Sequence, residues 1–485
     1  MFNRIDKKQV IIYLITLVLL EGILISLLWG SEAKLTLMLG MLSIPFAELL
    51  VFLMFSSLEK CIMAIAFSIP LLPLSGYVLL RIGLLDYQWI FYTVFYIISL
   101  IALIKNKVHK SINFKNLIIK NKILRITLFI LLIVSSCFAY DKQLSFMIVL
   151  LSFVPFSIFF ILIKALDIEN KKKLLNNVFL SVALGCIVSS IPDILYFILL
   201  WVSGNKASRI YGPLGSNFIL IYDLIIYSVL LAKWLKERNL KNIWTILVVA
   251  MSLIISMQLS RGALISFFAI LLIFFIFDIK SYKRIIPIIL IFGTILTYNV
   301  MGRADVAQDT TIQEAHEIIS GNKDQELDMN IGSTGDLIVK IIKSQSKTRQ
   351  ILWETGIRIS MDYPYTGVGI GNYKNFYQEY SGSNRPYSDA HNILLNMSSE
   401  IGTPFMVISG LLILIIGFRA LVNYFNRDKV DIKKNNIAIM AVIVVILLYG
   451  NLTGISFQTT NEIYSFTPTF IIIFMLFYRD YINEF

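Results

Sequence analysis

Long apolar runs, most of roughly 17 to 25 residues, alternate with short polar breaks along nearly the whole chain. A helical run of that length covers the ~30 Å hydrocarbon core of a bilayer. The pattern predicts fourteen such helices, near 9–29, 35–56, 61–80, 84–104, 124–140, 144–163, 174–202, 215–232, 242–258, 262–278, 285–300, 401–422, 436–454 and 462–478. The apolar signal is weakest in 124–140 and 242–258. The basic stretch Met1 to Val10 is short and no small-residue cleavage site follows the first run, so that run reads as a retained span.

One interval breaks the rhythm. Between Met301 and Ser399 the chain is polar for about a hundred residues, dividing it into a bundle at 1–300 (eleven runs), a large loop at 301–399 and three final runs at 400–485. Inside the loop, 301–335 is rich in Gly, Asp and Thr, with one short helix expected near Thr311 to Ile319. From Ser346, apolar positions including Ile351, Leu352 and Ile359 recur at three- and four-residue spacing, predicting an amphipathic helix that Pro364 stops. A helix of this kind suits the membrane surface. Pro364-Tyr-Thr-Gly367-Val-Gly369-Ile-Gly371-Asn372-Tyr373 follows, and its glycines can bring backbone amides close to an anion. Tyr373, Phe376, Tyr377, Tyr380 and Tyr387 form an aromatic run suited either to sugar stacking or to the headgroup level. The loop closes on Ser388-Asp389-Ala390-His391-Asn392, just before the next apolar run.

Composition agrees with a polytopic membrane protein: 57% of residues are hydrophobic and 15% charged. With the N-terminus placed inside, 28 of the 43 lysines and arginines fall in inner loops, six in short outer loops and nine in the long loop. Positive charge in short loops marks the cytoplasmic side, so both termini read as cytoplasmic and the long loop as exported. The net charge of +12 is then topological, with some attraction to anionic lipid, and calls for no nucleic acid. Cys61, Cys137 and Cys186 all lie in apolar runs, which leaves neither a disulfide framework nor a cysteine metal site.

The candidate chemistry gathers on the exported side. Of three histidines, His109 falls on the inner side, His316 lies in the early loop, and His391 abuts a span, with Asp389 and Glu400 near enough in sequence to orient it. Histidine takes a proton near neutrality, so His391 is a candidate general base; a solvated or helix-capping histidine is the competing reading. Arg209 and Arg261 emerge in short outer loops, and Arg349 opens the amphipathic helix. Arginine grips phosphate oxygens in pairs, although a lone arginine at a membrane edge usually just reaches for headgroups. Asp193 and Asp223 lie inside spans, either as functional charges or as locks pairing with Arg209 or Arg261.

The ordered set Arg209-x-x-Gly212, Ser260-Arg261-Gly262, Arg349-x-x-x-Trp353, Pro364-x-x-Gly367-Val-Gly369-x-Gly371-Asn372-Tyr373, His391-Asn392-x-x-Leu395 and Glu400-x-Gly402 resembles the O-antigen ligase and polymerase superfamily, the Wzy and WaaL type. The resemblance covers about 210 to 405; earlier residues match only in hydropathy, and 301–331 has no counterpart. It implies an all-α membrane glycosyltransferase of GT-C-like type in the bacterial cytoplasmic membrane, its active site facing out. The implied reaction is metal-independent and inverting, without a cofactor, on a glycan carried by undecaprenyl diphosphate. Arg209, Arg261 and Arg349 would hold the diphosphate, His391 would be the base, and Asp389, Asn392, Glu400, Gly369 and Gly371 would support them. The expected product is a surface polysaccharide of O-antigen or capsule type, made by a polymerase, with a ligase or protein O-oligosaccharyltransferase as the alternative. A chain-length regulator and a flippase are candidate partners. A lipid-linked oligosaccharide flippase is the rival from another class, disfavoured by the long loop; a peptidoglycan-type polymerase is disfavoured by the His-Asn pair.

Overall fold

A computed structural model describes residues 49–72, 87–113, 122–166, 171–202, 216–237, 242–257, 261–290, 292–293, 349–382, 387–426 and 430–453. The expected spans near 9–29 and 462–478, the early loop with its Thr311–Ile319 helix, and Arg209 lie outside these residues. The described residues form helices and turns, with no strand beyond one isolated bridge between Ile112 and Leu166.

In chain order the helices are α1 (Leu58–Ser68), α2 (Gln88–Lys105), α3 (Lys122–Cys137), α4 (Lys142–Ala165), α5 (Lys171–Val202), α6 (Ser216–Lys236), α7 (Ile243–Met257), α8 (Arg261–Phe277), α9 (Ile279–Leu290), α10 (349–362), α11 (Tyr373–Ser381), α12 (Ile393–Glu400), α13 (Thr403–Asn426) and α14 (Val430–Thr453). Among the described residues five helical stretches are long and apolar enough to cross a bilayer: α2, α4, residues 173–191 of α5, α13 and residues 432–451 of α14. A sixth arises if α8 and α9, bent 118° at Asp278, count as one. The two weakest runs both fold as helices, α3 with 16 residues and α7 with 15. The expected count of fourteen spans therefore extends beyond what is described.

The chain divides into two compact units, Met1–Leu117 with Ile161–Gly185, and Ile118–Phe160 with Cys186–Phe485. In the first, α1 packs against α2, and Asn106 at the end of α2 donates to the Met54 and Ala102 carbonyls at 2.7 and 2.8 Å. The other side of α2 exposes Trp89, Phe91, Val94, Ile97, Leu100, Ile101 and Ile104. Such a face is an aggregation hazard in water and unremarkable in lipid, where the helix already satisfies its own backbone.

In the second unit α6 is the central helix. Residues 220–232 are buried on every side, and α7, α8 and α14 pack around them. A helix apolar all round needs that enclosure. Asp223 is fully buried within it; Asp193 lies on α5, with its side chain outside the description. Helix α4 contains a π-helical stretch at Val149–Phe153, ending two residues before Pro155. Proline has no amide to return to the preceding turn, and a widened turn absorbs that loss.

The polar segment 349–402 has its own small core. Leu352, Ile359, Val368, Tyr373, Phe376, Tyr377 and Ala390 are buried together, with Tyr380, Tyr387 and Leu395 packed at the edge. The first three aromatic residues are thus interior packing and are neither a sugar platform nor a headgroup belt. The amphipathic helix is described from Arg349 and ends at Asp362, two residues before Pro364; Ser346, where the pattern places its start, lies outside the described residues.

Below this core the glycine segment laces three parts of the unit together. The Val368 and Gly369 amides donate to the Ser399 and Glu400 carbonyls at 2.8 and 2.9 Å. The Val368 carbonyl accepts the Tyr140 amide at 3.0 Å, and the Ile370 carbonyl accepts the Ser145 hydroxyl at 2.9 Å. Glycine is required at Gly369: its φ is +98°, and an added Cβ would sit 2.2 Å from the Ala139 Cβ. Replacing Gly369 with Ala should cost about 2–4 kcal/mol through combined backbone strain and overpacking. Gly410 in α13 meets nothing within 4 Å, so Gly410→Ala should be neutral. Thermal unfolding of the two variants in detergent tests the contrast; equal melting temperatures would contradict it.

Candidate functional site

His391 is the residue immediately before a helix cap. Asn392 is the cap itself: extended, its side-chain oxygen accepts the Leu394 and Leu395 amides at 3.0 and 3.1 Å. His391 is therefore not the cap, and its side chain is released for another role. Its backbone is left-handed, with φ +50°, a conformation that costs a non-glycine residue of order 1 kcal/mol and needs an external constraint. Asp389 supplies one. Its Oδ1 accepts the His391 amide at 2.6 Å and meets Nδ1 of the ring at 2.5 Å. Asn396 fixes the residue between them, its Oδ1 accepting the Ala390 amide at 2.7 Å.

This arrangement fixes the chemistry of the ring. With Nδ1–H donated to a carboxylate, Nε2 is the nitrogen able to accept a proton. The side chain is 34% exposed while Asp389 beneath it is 5% exposed, so the ring is presented and the carboxylate is hidden. Tyr387 stands edge-on to the ring at 6.2 Å. The Asp389 charge raises the imidazole above its ordinary range, burial acts the other way, and the Arg349 charge also lowers it. Arg349, at the exposed head of α10, is thus within electrostatic reach of His391.

Glu400 belongs to the glycine turn rather than to the ring. It is 1% exposed at the end of α12. Its Oε1 accepts the Tyr373 amide at 3.4 Å, and the Gly371 amide lies near enough to favour the charged carboxyl. Burial pushes this carboxyl up to about 8, the two amides oppose the rise, and the Asp389 charge adds to it. The Gly367 and Gly369 amides therefore already have partners inside the protein, the Tyr363 and Glu400 carbonyls, and the Gly371 amide lies beside the Glu400 carboxyl. They support the site by holding Glu400 and α12 in place, and they are committed to that contact rather than offered to an external anion.

Arg261 heads α8, with its side chain outside the description; Arg209 lies outside the described residues. Of the expected site residues the structure brings together Arg349, Gly369, Gly371, Asp389, His391, Asn392 and Glu400. Among the described residues no group of three or more His, Cys, Asp or Glu side chains is placed to hold a metal ion.

Sequence reasoning gave no role to Asn372 or to residues 135–145, which form the floor. The Asn372 side chain accepts the Asp141 amide at 3.0 Å and donates to the Ser145 hydroxyl at 3.0 Å. The Ser135 hydroxyl donates to the Glu400 carbonyl at 3.0 Å. The available signal was modest: serines and an aspartate interrupting apolar runs in a region that otherwise matched only in hydropathy.

Residues 246–410 match the family model Wzy_C, described as O-antigen ligase. This stretch is similar to an O-antigen ligase domain. That domain runs from α7 through the polar segment into the first turns of α13, and it includes His391, Asp389, Arg349, Arg261, Glu400 and the glycine turn. Comparison with curated proteins gave no match.

The Glu400 environment predicts a pH dependence of stability. The folded protein keeps this proton up to about pH 8, whereas an ordinary glutamate releases it near 4.5. The stabilisation is complete below the lower value and is lost as pH rises through the interval. Glu400→Gln, which cannot ionise, should flatten the fall in melting temperature between pH 5 and pH 8 and leave the variant the more stable protein at pH 9. The Asp389–His391 pair also weakens as pH rises, so some slope should remain. An unchanged profile in Glu400→Gln would contradict this reading.

Proposed function

We propose that this protein is a polymerase of a bacterial surface polysaccharide, acting at the outer face of the cytoplasmic membrane on glycans carried by undecaprenyl diphosphate. The observation that carries the reading is the imidazole of His391, oriented by a buried carboxylate and lying within reach of the Arg349 charge, inside an O-antigen ligase family domain. The positive-inside count supports an outward-facing site.

In the proposed step, Nε2 of His391 takes the proton of an acceptor sugar hydroxyl. The hydroxyl oxygen attacks the anomeric carbon from the face opposite the diphosphate. The anomeric C–O bond breaks, its electron pair leaves with undecaprenyl diphosphate, and the configuration inverts. Arg349, with Arg209 and Arg261, neutralises the charge that develops on the leaving group. Asp389 stabilises the imidazolium and holds the ring in the accepting tautomer.

The family description favours a second reading, transfer of a finished chain by a ligase. The two reactions share the donor and the proposed base and differ in the acceptor. The size distribution of lipid-linked glycan in cells lacking the native protein separates them. With a polymerase, the wild-type gene should restore a ladder of lengths, while His391→Ala should leave single repeat units on the lipid, consistent with a loss of about 10²–10⁴ in rate. Arg349→Lys should retain charge but shorten the ladder, because the paired grip on phosphate is lost. A normal ladder stranded on the lipid would indicate a ligase. A normal ladder with normal transfer in His391→Ala cells would overturn the role of the histidine.

A further inference from the structure

Helix α10 has three faces. Leu352, Thr355, Gly356 and Ile359 point into the small core and are buried. Glu354, Arg358 and Asp362 form a charged stripe, with Asp362 accepting the Tyr380 hydroxyl at 2.5 Å. The third stripe, at four-residue spacing, is Trp353, Ile357 and Met361, all exposed and all apolar. Residues on one helical line stack along one side, so these three make a continuous ridge separate from the charged one. Met361 is 73% exposed, and Tyr365 just beyond the helix is 77% exposed.

The level of this ridge relative to the bilayer is fixed by a backbone contact. The Pro364 carbonyl accepts the Thr403 amide at 2.8 Å, and an added Cβ on Gly402 would sit 2.3 Å from the Tyr365 carbonyl. Thr403 begins the 24-residue apolar span α13. The C-terminal end of α10 is therefore held against the first residue of a membrane helix, at the depth where amphipathic aromatic residues concentrate. We propose that the ridge Trp353, Ile357 and Met361, together with Tyr365, is seated in the headgroup–acyl boundary of the bilayer and anchors the catalytic segment to the membrane surface. The occupant is lipid rather than a second copy of the chain, because the ridge adjoins a span and the charged stripe is segregated away from it. Seating at this depth also places Arg349, one turn before Trp353, at the height of a lipid-borne phosphate. That consequence rests on the reading given above, whereas the seating itself does not.

The test uses full-length protein in nanodiscs. The exposed Cys137 is replaced by Ser, leaving Cys61 and Cys186, which are buried. A bimane fluorophore is attached to Met361→Cys, to Ile357→Cys as an independent site, or to Arg358→Cys on the charged stripe. The quenchers are a lipid carrying a nitroxide high on its acyl chain and, separately, iodide in solution. The ridge labels should be quenched severalfold more by the nitroxide lipid than the Arg358→Cys label, and several-fold less by iodide. Ridge labels shielded from both quenchers would point to a protein contact and overturn the proposal. Ridge labels as open to iodide as the Arg358→Cys label would place the stripe in water and overturn it equally.

Discussion

Two backbone hydrogen bonds, from the Val368 and Gly369 amides to the Ser399 and Glu400 carbonyls, join the glycine turn to the end of α12, just before the membrane helix α13. The rest of the site depends on them. They fix the end of α12, whose first turn is capped by Asn392, and so fix where His391 stands. They also require the chain to pass within van der Waals distance of residues 139–148, which only glycine backbones permit at Gly369 and Gly371. A side chain at either place would push α12 away from its floor and move the imidazole with it.

The polar segment resolves an awkward physical problem. The proposed base has to stay poised at a membrane surface without relying on long, loosely packed loops. Here a few buried aromatic residues and two buried carboxyls give the segment an interior of its own. Glu400 accepts the Tyr373 amide in a site that favours its protonated form, while the buried Asp389 holds the ring in place. The Asp389 charge raises the cost of ionising Glu400, and the arrangement assigns the two carboxyls different tasks: one closes the turn, the other orients the histidine.

Much of the architecture was legible in the hydropathy pattern. Runs at 215–232, 242–258, 262–278, 401–422 and 436–454 each correspond to a helix displaced by only a few residues, because apolar length is a direct consequence of bilayer thickness. The helix stopped by Pro364 was legible for the same reason that proline cannot continue a helix. The aromatic run and the glycines were harder. Tyr373, Phe376 and Tyr377 read as binding surface in one dimension, and whether such rings face a ligand or one another is decided by contacts with Leu352 and Ile359, some twenty residues away. The glycines read as an anion cradle, yet the Gly367 and Gly369 amides are claimed by the Tyr363 and Glu400 carbonyls. The floor formed by Ser135, Asp141 and Ser145 left only a modest signal for a related reason, since those contacts span more than two hundred positions.

The central claim is that Asp389 and Arg349 together set the proton affinity of His391. Proton titration of the imidazole resonances by NMR tests it directly, because the chain has three histidines and a His391→Ala spectrum assigns the one of interest. The wild-type ring should titrate above 6.5; Asp389→Asn should lower its midpoint and Arg349→Gln should raise it. A midpoint indifferent to both substitutions would show that the three side chains do not form one electrostatic unit.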